Sequence, residues 1–123
     1  MCGEHGIQPH GTGCSLEDIE RLFNEVNEPN FGVTLDLAHL YPNQQAQEFI
    51  KKAPGVANVH LSDASPESTH LLMGNGGLNY RDMLKTLRER YDGIVILEGY
   101  TPGAGVKCLE YLFLKWQEAM ELY

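Results

Sequence analysis

Side chains able to hold a divalent cation recur in this chain wherever a short apolar run ends: Glu4, then Asp36 with His39, then His60 with Asp63, then Glu98. Carboxylates combined with an imidazole make a mixed oxygen and nitrogen shell, which suits Mn²⁺, Mg²⁺, Co²⁺ or Zn²⁺. A single acidic residue after a strand commonly caps the next helix or faces water, so no one of them carries the argument. Their recurrence in phase on successive runs does. His60 lies inside an apolar run, where an isolated histidine reads as a core residue, but the surrounding His-Leu-Ser-Asp places it with the others.

The elements that must position these residues alternate along the chain. Ser15 ahead of Leu16, Glu17 and Asp18 predicts a helix start, with Leu16, Ile19, Leu22, Phe23 and Val26 at helical spacing up to about Asn27. Residues 31–37 (FGVTLDL) then read as a strand buried on both faces. An amphipathic stretch over 43–53, broken by Pro54 and Gly55, leads into a second such strand at 56–61 (VANVHL). After a loop over 62–77, Asn79 is placed to cap a helix carrying Met83, Leu84 and Leu87 on one face, ending near Tyr91. Residues 93–97 (GIVIL) form the most hydrophobic strand, and residues 106–122 a last helix whose expected core face is Leu109, Leu112, Phe113, Trp116 and Met120. Alternating helices and short buried strands predict an α/β fold with a parallel sheet. In such folds active sites gather at the carboxyl ends of the strands, where these ligands fall.

The chain has 123 residues, 42% of them hydrophobic, which fits one unit with a real core. Seventeen Asp and Glu against nine Lys and Arg give a net charge of −8, so its field repels phosphate backbones and anionic membrane surfaces. Nucleic acid is therefore disfavoured as a partner. Cys2, Cys14 and Cys108 show no C-x-x-C spacing, which predicts reduced thiols and a cytoplasmic protein. No apolar stretch approaches the ~18 residues of a membrane span, and residues 1–15 lack a signal-peptide pattern. The glycines of 74–77 do not follow a strand and lack nucleotide-loop spacing; close backbone approach is the reading they favour.

The motifs TLDLAH at 34–39, NVHLSD at 58–63, GNGGLNY at 74–80 and YDGIVILE at 91–98 resemble, in order and spacing, the signatures of the xylose-isomerase-like TIM-barrel superfamily of sugar isomerases, epimerases and endonuclease IV relatives. The resemblance runs from about residue 3 to 100 and matches the carboxyl-terminal half of that fold. It implies a parallel (βα)4 half of a TIM-type barrel, a single half-barrel domain over 1–123, with Glu4, Asp36, His60 and Glu98 matching the family's divalent-metal site. Glu4 and Glu98 take the places of the paired catalytic glutamates, one removing a proton beside a carbonyl and the other returning it, with the cation steadying the enediolate. His39 takes the place of a histidine that contacts substrate or a further metal, and His70 that of a substrate-contacting residue. His5 directly follows Glu4 where relatives carry a different pair, and His10 lies in the same loop.

The expected function is a metal-dependent sugar or sugar-acid isomerase or epimerase. The alternatives are an abasic-site DNA endonuclease of the endonuclease IV type and a half-barrel that binds a partner without catalysis. Ser68 stands two residues before His70, where the endonucleases keep an aspartate, and the acidic charge opposes a DNA substrate. Met1, Cys2 and Gly3 are too few for the strand expected to end at Glu4, given a usual length of ~5–6 residues. An open four-stranded piece exposes sheet edges and an apolar face, so closure by a homodimer or by a missing amino-terminal half-barrel is expected.

Overall fold

The computed structural model describes residues 15–40, 43–98 and 102–120. Helix α1 (Leu16–Val26) starts where the sequence predicts: the Ser15 hydroxyl accepts from the Asp18 amide at 3.0 Å, and Asn27 closes the helix in the left-handed region at φ 45°. Strand β1 (Val33–Asp36) is shorter than the apolar run, because Leu37–Leu40 winds into a 3₁₀ turn. The cause is Asp36 itself, whose Oδ1 accepts from the Ala38 amide at 3.2 Å and bends the chain out of the sheet. Helix α2 (Asn43–Lys52) leads to strand β2 (Val56–Leu61), and Gly55 between them adopts φ 60° with the Phe23 ring packed where a Cβ would stand.

Helix α3 (Tyr80–Arg90) is capped by Asn79, whose side chain accepts from the Asp82 amide. Strand β3 (Ile94–Leu97) and helix α4 (Ala104–Met120) complete the described chain. The three strands are parallel in the order β1-β2-β3, neighbours in sequence pairing as consecutive βαβ units do. This is a partial TIM barrel. The strand expected to end at Glu4 falls outside the described residues.

Alternation along the strands divides the sheet into two faces. Leu35, Val59, Leu61, Val95 and Leu97 point to the helices and pack with Leu37, Phe49, Ile50, Met83, Leu84 and Leu87 in one core. The face of α3 expected to be apolar is therefore buried. That of α4 is not: Leu109 and Phe113 are 58% and 62% exposed, and Trp116 is 39% exposed. The helix instead turns Ala104, Cys108 and Ala119 inward, with Tyr111 and Leu112 half-buried against the core. Small side chains let the helix axis approach closely, and the bulkier stripe is left on the side that no described element covers.

Asp63 organises the loop between β2 and α3. It is fully buried, and its carboxylate accepts from four backbone amides: Ala64 and Leu78 at Oδ1, Gly74 and Gly76 at Oδ2, at 2.8–3.2 Å. A Cβ on Gly76 would stand 2.3 Å from Oδ1, which explains the glycine turn without a phosphate. Its position after β2 groups Asp63 with the expected strand-end ligands, but its oxygens are spent on the loop instead. Paired backbone bonds between Asp63 and Leu71 close the same loop and fix His70 at φ 59°. Replacing Asp63 with Ala leaves several buried amides without acceptors, at ~1–3 kcal/mol each before relaxation, so D63A is expected to lose at least ~3 kcal/mol in urea unfolding. Wild-type stability in that variant would show that water replaces the carboxylate.

Candidate metal centre

The site lies on the other sheet face. Parallel register aligns Asp36 with His60 and His60 with Ile96, so Asp36, His60 and, two residues past Ile96, Glu98 project to the same side. The Glu98 amide donates to the Leu61 carbonyl at 3.0 Å, continuing the sheet ladder and holding Glu98 at the strand end. Ligand atoms of Asp36, His60 and Glu98 all lie within 4.8 Å of one another. A second group, Asp36, His39 and His70, meets the same spacing and shares the aspartate.

Individual contacts show how tightly these groups are gathered. His60 Nδ1 lies 2.8 Å from Glu98 Oε1, and His70 Nδ1 lies 3.2 Å from Glu98 Oε2. The second approach lacks hydrogen-bond geometry, so Oε2 is buried with no hydrogen-bond donor among the described residues. His39 Nε2 and His70 Nε2 meet at 2.8 Å with the rings edge to face, and His39 Nε2 stands 3.7 Å from Asp36 Oδ2. His70 Nδ1 is also 3.3 Å from the Ser62 hydroxyl.

Burial raises the Asp36 carboxyl above its ordinary range, the largest cause being loss of hydration, with the Glu98 charge adding to it and His39 and His70 opposing it. Asp36 and Glu98 gather beside three imidazoles with their side chains only 12% and 24% exposed. A buried glutamate oxygen without a donor and an aspartate that resists ionisation are what an oxygen- and nitrogen-preferring divalent cation would relieve, so the donor set fits such an ion.

Of the residues expected from sequence, Asp36, His39, His60, His70 and Glu98 come together here. Glu4 lies outside the described residues, as do His5 and His10. Asn58, which the sequence reading passed over, also belongs to the site: its amide lies 3.3 Å from His60 Nε2 on the same strand face. The period-two spacing from His60 was the signal that could have found it.

The xylose isomerase-like TIM barrel family model matches residues 4–121. The chain is 28% identical over 106 residues to the uncharacterized protein MJ1311 of Methanocaldococcus jannaschii, covering 81% of this chain and 36% of that protein. It is 31% identical over 58 residues to the uncharacterized protein MJ1614 of the same organism, covering 46% and 23%. The crystal structure of a D-tagatose 3-epimerase-like protein superposes with a TM-score of 0.69 at 24% identity, covering 87% of this chain and 42% of that one. The chain thus spans about a third or less of the curated relatives it matches.

Because the folded state holds Asp36 with a raised pKa, it binds the proton more tightly than the unfolded chain does. Metal-free stability is therefore expected to fall as pH rises from the unfolded value, near 3.8, through the higher folded one. Asp36→Asn removes that penalty and is expected to raise the metal-free Tm at pH 7 while changing it little at the acid end. Equal Tm values at both pH extremes would show that Asp36 ionises freely in the fold.

Proposed function

Since the chain belongs to the xylose isomerase-like TIM-barrel family, we propose that it is the carboxyl-terminal half of a divalent-metal-dependent sugar or sugar-acid isomerase or epimerase. The observation that carries this reading is the gathering of Asp36, His60 and Glu98 within 4.8 Å on one open sheet face, with His39 and His70 beside them. The superposition on a D-tagatose 3-epimerase-like protein supports the substrate class.

Asp36, His60, Glu98 and Glu4 are the residues that would hold the ion. When bound, it would supply Lewis-acid charge to balance the negative charge that develops on the substrate. The chain's own residues do the rest. Glu98, half-buried beside two imidazoles, exchanges a proton with the carbon next to the carbonyl, and Glu4, by its place in the family's motif, takes the paired role, so that an enediolate forms and is reprotonated. His39 and His70 present ring nitrogens to the substrate hydroxyls. The 3₁₀ turn and the Asp63-held loop keep both histidines at the rim.

No described element covers the face of the sheet that carries these residues. Ile94 is 72% exposed and Ile96 41% exposed, on the same side of the sheet as His60 and Glu98. We read this face as closed by a complementary half-barrel, from a second copy or from an amino-terminal half, which would exclude water from the proton transfer. No described helix is long and apolar enough to cross a membrane, and the buried free thiol of Cys108 accords with a cytoplasmic setting.

The test is solvent-deuterium exchange into ketohexoses by Mn²⁺-loaded protein. Glu98→Gln is expected to lower the rate by about 10²–10⁴-fold, the usual worth of a positioned acid or base. An unaltered rate in a folded variant would remove Glu98 from the chemistry. Molar mass in solution is expected to show a defined dimer or a complex with a separate half-barrel; a stable, active monomer would overturn the closure of the face.

A further inference from the structure

Two non-glycine residues among those described hold a positive φ, Asn27 at 45° and His70 at 59°. Asn27 closes helix α1, where the left-handed region is an ordinary cap. His70 lies in the loop between β2 and α3 and caps nothing. A left-handed residue of this kind carries backbone strain, persists only where its surroundings hold it from several sides, and concentrates at functional sites.

The loop supplies that hold. Leu71, the next residue, exchanges two backbone hydrogen bonds with Asp63 at 2.8 and 3.0 Å, so the chain is fixed immediately after His70. Before it, Ser65 and Ser68 exchange a pair of their own at 2.8 and 3.4 Å. Thr69 and His70 alone lie between these clamps, and the turn falls on His70. Beyond Leu71 the chain returns to the Asp63 carboxylate, which accepts from the amides of Gly74, Gly76 and Leu78. Asp63 thus grips the loop twice, once by its backbone and once by its side chain. The effect reaches the site. The His70 ring sets Nε2 2.8 Å from His39 Nε2 and Nδ1 3.2 Å from Glu98 Oε2, with the rings of His39 and His70 edge to face at 4.7 Å. An extended residue at this point would send its Cβ to a different side of the chain.

We propose that Asp63 is a positioning residue for substrate binding, which imposes the left-handed backbone on His70 and so sets its ring against His39 and Glu98. The role in binding rests on the isomerase or epimerase reading above; the control of the ring does not. Two substitutions loosen the loop from different sides. Asp63→Asn keeps the shape of the side chain, but whichever way its amide lies, the NH₂ end faces one of the two pairs of donating amides. Gly76→Ala leaves Asp63 intact and places a Cβ only 2.3 Å from its Oδ1.

The first measurement is NMR of the metal-free protein. The wild type is expected to show a nuclear Overhauser contact between the His39 and His70 rings, and each variant to lose it while keeping the methyl spectrum of the helix-side core. The second is deuterium exchange by Mn²⁺-loaded protein, with D-fructose and D-tagatose as probes. Each variant is expected to raise KM ~10–100-fold, the usual cost of losing a supporting partner behind a site residue, with kcat less affected. In a His70→Ala background the same substitutions are expected to add nothing further, because the residue they act through is gone. Folded variants that keep the ring contact overturn the positioning role, as does a full additional rise in KM on top of His70→Ala. If Asp63→Asn does not fold, Gly76→Ala decides. Wild-type protein that exchanges no deuterium into either sugar, while the variants still lose the ring contact, overturns the proposed reaction and leaves the control of His70 standing.

Discussion

A β-strand cannot turn one side chain toward a site without turning the next one away, and parallel pairing then fixes which residues of neighbouring strands stand abreast. That constraint governs this molecule. With Asp36 opposite His60 and His60 opposite Ile96, one face receives Asp36, Asn58, His60 and Glu98, while Leu35, Val59, Leu61, Val95 and Leu97 go to the helices. A slip of one residue in any strand would bury a ligand in the core and expose a core residue in its place. The apolar packing is therefore what enforces the geometry of the polar site.

The site also depends on a buried residue that does not face it, Asp63. Its four backbone acceptor contacts draw the loop after β2 into one conformation, and the bridge to Leu71 then presents His70 to both His39 and Glu98. Residues 31 positions apart meet in this way, and the energetic cost of gathering carboxylates out of water falls chiefly on Asp36. Carboxylates drawn together in this way are what a divalent cation, if bound there, would relieve.

The same alternation leaves the ligand face with nothing described above it. Ile94 and Ile96 there, and Leu109 and Phe113 on α4, stay exposed because each lies on the side of its element that faces away from the described core. A closed barrel of the family has no such face, since the sheet curls until its first and last strands pair and the interior fills with side chains. The candidate site of this chain stands at the carboxyl ends of its three described strands.

Much of this was legible in the amino-acid order. Helix caps at Ser15 and Asn79, breakers at Pro54 and Gly55, and short β-branched runs specify the alternating elements, because these effects act over a few residues. Strand-end position also marked Asp36, His39, His60 and Glu98 as candidate ligands, since such a residue has a recognisable place after an apolar run, whereas His70 came from the family resemblance alone. Other features depended on contacts between segments distant in sequence. Asp63 reads like another strand-end ligand until the loop folds back and brings its amides to the carboxylate. Asn58 reads as a polar residue in a strand until register sets it behind His60. The bulky stripe of α4 reads as core because helical periodicity marks an apolar face but not which side of the helix its neighbours occupy. Local sequence determines which elements form; which oxygen meets which amide is decided only when the strands lock in register and the loop closes over them.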